Sequence, residues 1–384
     1  MFNLLYFRDK LLKRPNLDNG FIQSSPKNKD WEHVEILGMG IQKKVLFPEK
    51  NPDKYRSKGE RQRRDNSSET MACTNFSTMN ALEEIMNRMK FLVDNEEADE
   101  EIQKLVKVFI YFELYDEIGE ANLSDRFQAI MSGTTRRGNS FTNNCNSLRK
   151  NGIVAEKFYP TPKQYSWNEF YKKDAMFPEA VKKGKEFLDY IEINHEWVYP
   201  DRDNDCLQYS PNTTSVYAGG DWNSNKTHKR PNYPHNHAVA RDGFIKNEID
   251  KIYDSYKPFD KRVDWNYGLG MGKIFTFRLK KDPVNLAYKF LEENEGKNVK
   301  HKDSNTVWLI QRNKKKAYPD ELTYLSFNVR DGQITNYVLA DKNIIDQIDS
   351  GEDMDIEKSL YWEYLKQVKG NDARLKKLIQ MLIR

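Results

Sequence analysis

Cysteine is scarce in this chain: three residues among 384, at positions 73, 145 and 206. Three thiols cannot build a disulfide scaffold, so a reducing compartment is expected, the cytoplasm being the default. Long apolar runs are missing too. No stretch approaches the roughly 18 residues that cross a bilayer, and the start, Met1 to Arg14, holds no apolar segment of signal-peptide length. Charge of one sign is not in excess either: 62 Lys and Arg stand against 58 Asp and Glu, a net +4. That balance is too weak and too mixed to imply a nucleic-acid partner. What is present is 38% hydrophobic and 12% aromatic residues, enough for a sizeable core and too many for a disordered chain. The length suggests two or three domains at about 150 residues each. A soluble, mostly globular protein without a membrane partner is expected.

Residues 1–57 are polar and broken by Pro15, Pro26, Pro48 and Pro52, an N-terminal arm with one strand at 33–37 or 43–46. From Cys73 a helix is predicted, because Phe76, Met79, Leu82, Met86 and Met89 recur at spacings of three and four. The acidic run 94–101 reads as a solvated loop opening a second helix with Ile102, Leu105, Val106, Phe109 and Phe112 inward. Ser124-Asp125 caps a third helix to Met131, and a short helix after the loop 133–140 ends at Asn151-Gly152. Residues 166–195 are predicted as amphipathic helix, and 199–234, dense in Asn, Asp, Ser, Gly and Pro, as long loops. Strands follow at 237–240 and 251–254, around a turn at 246–248, and at 274–277. The chain is therefore α+β, with a helical lobe over about 65–195 and a β-rich lobe over about 196–283. Residues 284–384 form a small C-terminal α/β accessory domain. Strands at 306–310 and 324–327 flank Lys314–Lys316, read as a hairpin turn, and helices at 356–368 and 372–383 close it. The last helix gathers Leu375, Leu378, Ile379 and Leu382 on one face. Docking on its own domain is expected, with an assembly partner as the alternative.

A catalytic cysteine needs a thiolate, a base that shuttles protons, and donors for a developing oxyanion. Cys73 stands where the first helix begins, a position whose partial positive charge favours an anion. His237 opens a strand-like run, and Asp254, seventeen residues on, could accept the other ring proton and fix the tautomer. Each alone reads as a buried thiol or a structural hydrogen bond; the three in this order are far more specific.

With these residues the sequence resembles the papain-like cysteine peptidases, in a divergent bacterial or phage form, over about residues 58–280. Cys73-Thr74-Asn75-Phe76-Ser77 looks like the nucleophile and its helix. Asn122-Leu123-Ser124-Asp125-Arg126-Phe127 resembles the family's Leu-Ser-Glu-Gln stretch. Arg137-Gly138-Asn139-Ser140, followed by Asn151-Gly152-Ile153 and Tyr159-Pro160, is similar to the Gly-rich loop, helix and Gly-Ile…Tyr-Pro segment. Asn236-His237-Ala238-Val239 looks like Gly-His-Ala-Val, and Asp254-Ser255-Tyr256 stands where the family has Asn-Ser-Trp.

The resemblance implies a two-lobe papain-like fold over 58–283, and a Cys73–His237–Asp254 triad that hydrolyses peptide bonds through a thioester. It implies no cofactor and no metal, with a peptide or protein as substrate partner. Tyr256 would shield the His–Asp contact. Several features depart from the family. The Cys-to-His interval of 164 is long, Asp replaces Asn, and the disulfide cysteines near Gly138-Asn139-Ser140 are absent, in keeping with an intracellular or phage-encoded member. Ser67 occupies the position of the oxyanion glutamine, leaving Gln62 as the candidate donor. The 72 residues before Cys73 are more than a mature member needs and few for a full inhibitory propeptide, so the chain is expected to be made in its working form.

Two alternatives remain open: a transglutaminase-like acyltransferase, and a peptidase-like assembly component of a phage virion, with virion rather than cytoplasmic location. The substrate-lining residues are not legible. Cys206, His228, His235 and His237 match no common zinc spacing. Cys145 reads as core, Arg61, Arg63 and Arg64 as a solvated loop, and 268–272 as a Gly-rich stretch leading to a strand rather than a phosphate cradle.

Overall fold

Burial on every side sets the first helix, α1 (Cys73–Asp94), apart from the others: Phe76, Leu82, Ile85 and Met86 are buried, but so are Asn75, Glu83, Glu84 and Arg88. A helix buried all round belongs in the middle of a domain, with neighbours on each face. The structure is a computed structural model that describes residues 20–26, 44–200, 203–230 and 233–281, and shorter stretches between 290 and 354. It divides into two compact units, Met1–Lys281 and Asp282–Arg384.

In the first unit α2 (Glu100–Tyr111) starts where Asp99 accepts from the Ile102 N–H, with Glu100 and Glu101 in the positive first turn. None of the acidic run 94–101 is buried, and Lys44 pairs with Asp99 and Glu101 at the surface. Phe109 of this helix meets Phe277 edge-on at 4.9 Å. Ser124 caps α3 (Asp125–Met131), and Ser140 caps α4 (Phe141–Asn151), which ends at Gly152.

The expected helix over 166–195 is three elements. A capping box between Ser166 and Glu169 starts the single turn α5 (Trp167–Phe170), and Pro178 in the first turn starts α6 (Phe177–Tyr190). Strand β1 (Ile191–Val198) follows directly. Its polar Asn194, His195 and Glu196 are buried, which hides the alternation that marks a half-exposed strand. The loop assignment over 199–234 is also corrected. It contains the one-turn α7 (Asp203–Cys206), β2 (Asn212–Val216) and the short β3 (Thr227–His228). Buried β2 reads as a loop because it is Asn-Thr-Thr-Ser-Val; Thr213 and Thr214 donate their hydroxyls to the carbonyls of Lys273 and Gly270.

The expected later strands are present as β4 (His237–Ile245), β5 (Ile249–Tyr253), which stops one residue short of Asp254, and β7 (Gly272–Leu279), while β6 (Asp260–Asp264) was not foreseen. They form one seven-stranded sheet of order β1-β7-β2-β4-β5-β6-β3, antiparallel except for β3 on β6. β4 bulges between Arg241 and Gly243, and Asp242 at the bulge takes a bidentate pair from Arg56. Apolar residues of the sheet and its loops, among them Val216, Trp222, Val239, Ile252 and Val263, form a core cluster. Residues 44–46 form no strand, and 33–37 lie outside the described residues. The chain is α+β.

The second unit holds a sheet of order β10-β9-β8-β13, from β8 (Asn298–His301), β9 (Val307–Gln311), β10 (Lys314–Ala317) and β13 (Val338–Ala340). The pair β11 (Val329–Arg330) and β12 (Gln333–Ile334) stands apart. Lys314–Lys316 is corrected from a turn to a strand: Lys314 pairs with Gln311, so the hairpin reverses between those two. Val299, Ile310, Ile345 and Ile348 are its buried cluster. The strand expected at 324–327 and the helices at 356–368 and 372–383, with the suggested assembly face, lie outside the described residues. Among the described residues no helix is long and apolar enough to cross a membrane.

Candidate active site

Cys73 is the first residue of α1 and is fully buried. Its N–H, at the first helical position, has no intrahelical acceptor. A neutral network holds this end of the helix. Asn144 of α4 donates to Thr74 O (2.9 Å) and Thr78 Oγ1 (2.7 Å) and accepts from Asn75 (2.8 Å) and Gln128 (2.7 Å). Asn75 also donates to Ser132 and accepts from Thr134, which ties the helix start to the 132–140 loop.

His237 begins β4, opposite Val216 of β2, and Asp254 follows the last residue of β5. Adjacent strands therefore carry the pair. His237 Nε2 donates to Asp254 Oδ1 at 2.6 Å, and both side chains are fully buried. The opposite nitrogen, Nδ1, is buried without a hydrogen bond of good geometry, and the Cys73 thiol is the neighbour that acts on the ring from outside this pair. Burial pushes the imidazole down, but Asp254, and after it Cys73, pull it up to about 10. Asp254 is itself pushed up by burial and held below the usual carboxylate range by His237, Lys261 and Trp222. Trp222 Nε1 donates to its Oδ2 at 2.7 Å, and Lys261 Nζ lies 3.3 Å from the same oxygen. The Tyr256 ring lies 5.2 Å from the His237 ring, and Trp222 meets His237 edge-on at 6.3 Å.

Gln62 is buried, and its Nε2 donates to Glu69 Oε1 (2.6 Å) and to the Tyr256 oxygen (3.0 Å). Its Oε1 accepts from Ser255. Glu69 gathers the surroundings, since it also accepts from the Met71 N–H and, through Oε2, from the Tyr256 hydroxyl. Met71, two residues before Cys73, stands at φ 57, a value rare for a non-glycine residue. Ser67 is turned elsewhere and accepts from Tyr165 N.

Among the described residues of the N-terminal arm, 20–22 reach the site. Ile22 N donates to Asn139 O (2.7 Å) and Asn139 N to Gly20 O (2.8 Å), a parallel bridge centred on Phe21. Phe21 packs against the cluster of Cys73, Phe141, Trp197 and Ala238, 5.2 Å from the Phe141 ring. Gly20 and Gly138, at φ 90 and 94, make the approach possible. A Cβ on Gly138 would fall 1.8 Å from Gly20 O. Residues 20–22 thus lie against the cluster that holds Cys73.

The remaining candidates disperse. Cys206 is buried with Val198 and Ile274, and Cys145 is buried in α4. His228 stacks on Trp222 at 4.7 Å, and His235 Nδ1 is 2.9 Å from Ser215 Oγ. Arg61 pairs with Asp65, while Arg64 donates to the carbonyls of Thr161 and Pro162. Gly268–Gly272 leads into β7. Glu69, Trp222 and Lys261 were missed from sequence. Trp222 gave one faint signal, as a tryptophan isolated in a polar loop; Lys261 looks like any of 62 basic residues.

No family model matches the chain, and neither does any curated protein. Solved structures similar to it include xylellain, a cysteine protease from Xylella fastidiosa, at 15% identity over 67% of this chain and 96% of that one, with a TM-score of 0.41. The Carica candamarcensis cysteine protease CMS1MS2 in complex with E-64 is similar at 15% identity, over 59% and 96%, with 0.34. Procathepsin B S9 from Trypanosoma congolense is similar at 11%, over 67% and 86%, with 0.39. Likenesses this loose leave the chemistry to the side chains themselves.

Proposed function

We propose that this chain is a papain-like cysteine peptidase whose domain spans about residues 58–283, with Cys73 as nucleophile, His237 as base and acid, and Asp254 as the group that orients the ring. One observation carries the reading: a buried imidazole bonded through Nε2 to a carboxylate, with Nδ1 facing a thiol on the first turn of a buried helix. This is the arrangement acyl transfer needs, because the tautomer is fixed and the free nitrogen is aimed at the nucleophile.

His237 Nδ1 takes the thiol proton as Cys73 Sγ attacks the peptide carbonyl. The oxyanion is held by the Cys73 N–H and by Gln62 once its amide leaves Glu69. Collapse breaks the C–N bond, and His237 gives its proton to the departing amine. Water, deprotonated by the same ring, then opens the thioester and returns the thiol. Asn139 offers main-chain pairing to an extended peptide, and residues 20–22 take that place in the full chain. Substrate therefore enters as this segment leaves. Asp in the third position also suits a transglutaminase-like acyltransferase, which would incorporate amines where a peptidase gives net hydrolysis.

The test is labelling with an epoxysuccinyl probe or iodoacetamide between pH 5 and 8, with sites mapped by mass spectrometry. Cys73 is expected to label far faster than Cys145 and Cys206, and His237→Ala to erase the difference. Equal rates at the three thiols would sink the proposal.

A further inference from the structure

The carboxylate behind His237 raises a difficulty, and one buried neighbour bears on it. A general base that must return its proton to a leaving amine works best when its pKa lies near the working pH. A buried full negative charge 2.6 Å from Nε2 works against that, because it holds the imidazolium form in place. The papain-like resemblance places a neutral carboxamide here, whereas this chain has Asp254.

Lys261 lies on β6 opposite Ile252 of β5, so the sheet register brings it behind Asp254. Its Nζ stands 3.3 Å from Asp254 Oδ2, and neither side chain is exposed. The carbonyl oxygens of Tyr256 (2.7 Å) and Pro258 also accept from Nζ, which holds the ammonium in one place. The oxygens of Asp254 thus divide their work: Oδ1 takes the His237 proton, and Oδ2 takes Trp222 and Lys261. Burial pushes Lys261 down and Asp254 pulls it back up. Buried ion pairs seldom improve on apolar packing for stability, so a role beyond the fold is the natural question to ask of this one.

We propose that Lys261 is a positioning residue for the reaction, forming with Asp254 an ion pair that tempers the pull of the carboxylate on His237, so that the ring holds the Cys73 proton less tightly than it would against Asp254 alone. The inference rests on the peptidase reading above. The other groups around this centre come from every neighbouring element. Cys73 faces the ring from α1, and Glu69, before α1, reaches Tyr256. Beyond Trp222 lie His228 and Asp221, which are 3.8 Å apart. None of these approaches Asp254 Oδ2 as Lys261 and Trp222 do.

The experiment measures the rate of Cys73 alkylation by iodoacetate, an anionic probe, from pH 4 to 11 on the full chain. In the parent protein the rate is expected to rise with thiolate formation and fall as the imidazolium loses its proton. A parent profile with no such fall overturns the peptidase reading itself. Given that fall, Lys261→Met is expected to move it up by about one pH unit or more, and Asp254→Asn to move it down by a similar amount. The double variant returns it toward the parent value. Should Lys261→Met not fold, the comparison of Asp254→Asn with the double variant carries the same test: removing the lysine must again move the fall upward. A fall that stays in place when Lys261 is removed, with only thermal stability lost, overturns the proposal and leaves the lysine structural.

Discussion

The two halves of the site are held by different physics. On the helix side, Cys73 is placed by amides and hydroxyls: Asn75, Asn144, Gln128, Ser132, Thr74, Thr78 and Thr134, all neutral at any ordinary pH. On the sheet side, His237 is placed by charges: Asp254 in front, Lys261 behind, with Trp222 on the same carboxylate. A neutral network fixes geometry and is indifferent to protons, while a charged one fixes geometry and protonation together. In the proposed reaction, the half that moves protons is the half built from ionisable groups.

Breaking the charged side should cost most. Asp254→Ala would leave Lys261 and His237 buried without their counter-charge, an expected loss of roughly 3–5 kcal/mol in denaturant unfolding at pH 7. An unfolding midpoint near the parent's would mean that water or backbone replaces the carboxylate, and the contrast drawn here would fail.

The neutral side comes next. Asn144→Ala removes four buried side-chain hydrogen bonds, although Thr74 O keeps the Thr78 hydroxyl and Asn75 keeps Ser132, an expected loss of about 2–3 kcal/mol. That loss should be the same at pH 5 and pH 8; a slope with pH would show that the two sides are not separable.

A third group sharpens the comparison by locating pH-dependent stability away from the chemistry. Glu156 is pushed up to about 8, first by burial and then by the charge of Glu60, with Thr161 and Arg64 opposing. Glu83 and Asp125 are raised as well, both chiefly by burial. A raised carboxyl contributes stability that is full below its unfolded value, near 4.5 for Glu156, and lost as pH climbs through about 8. Glu156→Gln should therefore flatten the fall in Tm between pH 5 and 8 by several degrees in scanning calorimetry, leaving the Cys73 labelling profile in place. An unchanged slope would remove Glu156 from the account.

The smallest effect concerns access. Phe21→Ala withdraws the ring from the Cys73 cluster and should speed iodoacetamide labelling of Cys73 roughly threefold to tenfold, because only part of a phenyl's burial is lost when the segment lifts. A rate equal to the parent's would mean that the main-chain bridge to Asn139 alone keeps the segment down.

Much of the framework was legible because local signals agreed with the tertiary outcome. The caps Ser124, Asp99 and Ser140 and the stop at Gly152 mark helices that exist, and the run from Cys73 marks α1 at its first residue. The meeting of Cys73, His237 and Asp254 was suggested by one helix start and two strand ends in a family order. Less was legible where burial contradicts composition. β1 and β2 put Asn, His, Glu and Thr inside the sheet, so they lack the apolar signature from which strands are read. Lys261 acts through partners three to seven residues away and Glu69 through Tyr256, 187 residues on, and neither distance carries a pattern. Residues 20–22 return across the chain to Asn139, a pairing that no local rule announces.

The crossing of Gly20 over Gly138 works as a gauge. It is one backbone deep: a β-carbon on Gly138 would sit 1.8 Å from Gly20 O, and one on Gly20 2.3 Å from Met71 O, while a single residue further along a whole phenyl ring finds room. On the peptidase reading, any peptide that lay along Asn139 in the same register would be sorted by that step, bare at one position and bulky at the next, and the arm would carry an impression of the sequence it displaces.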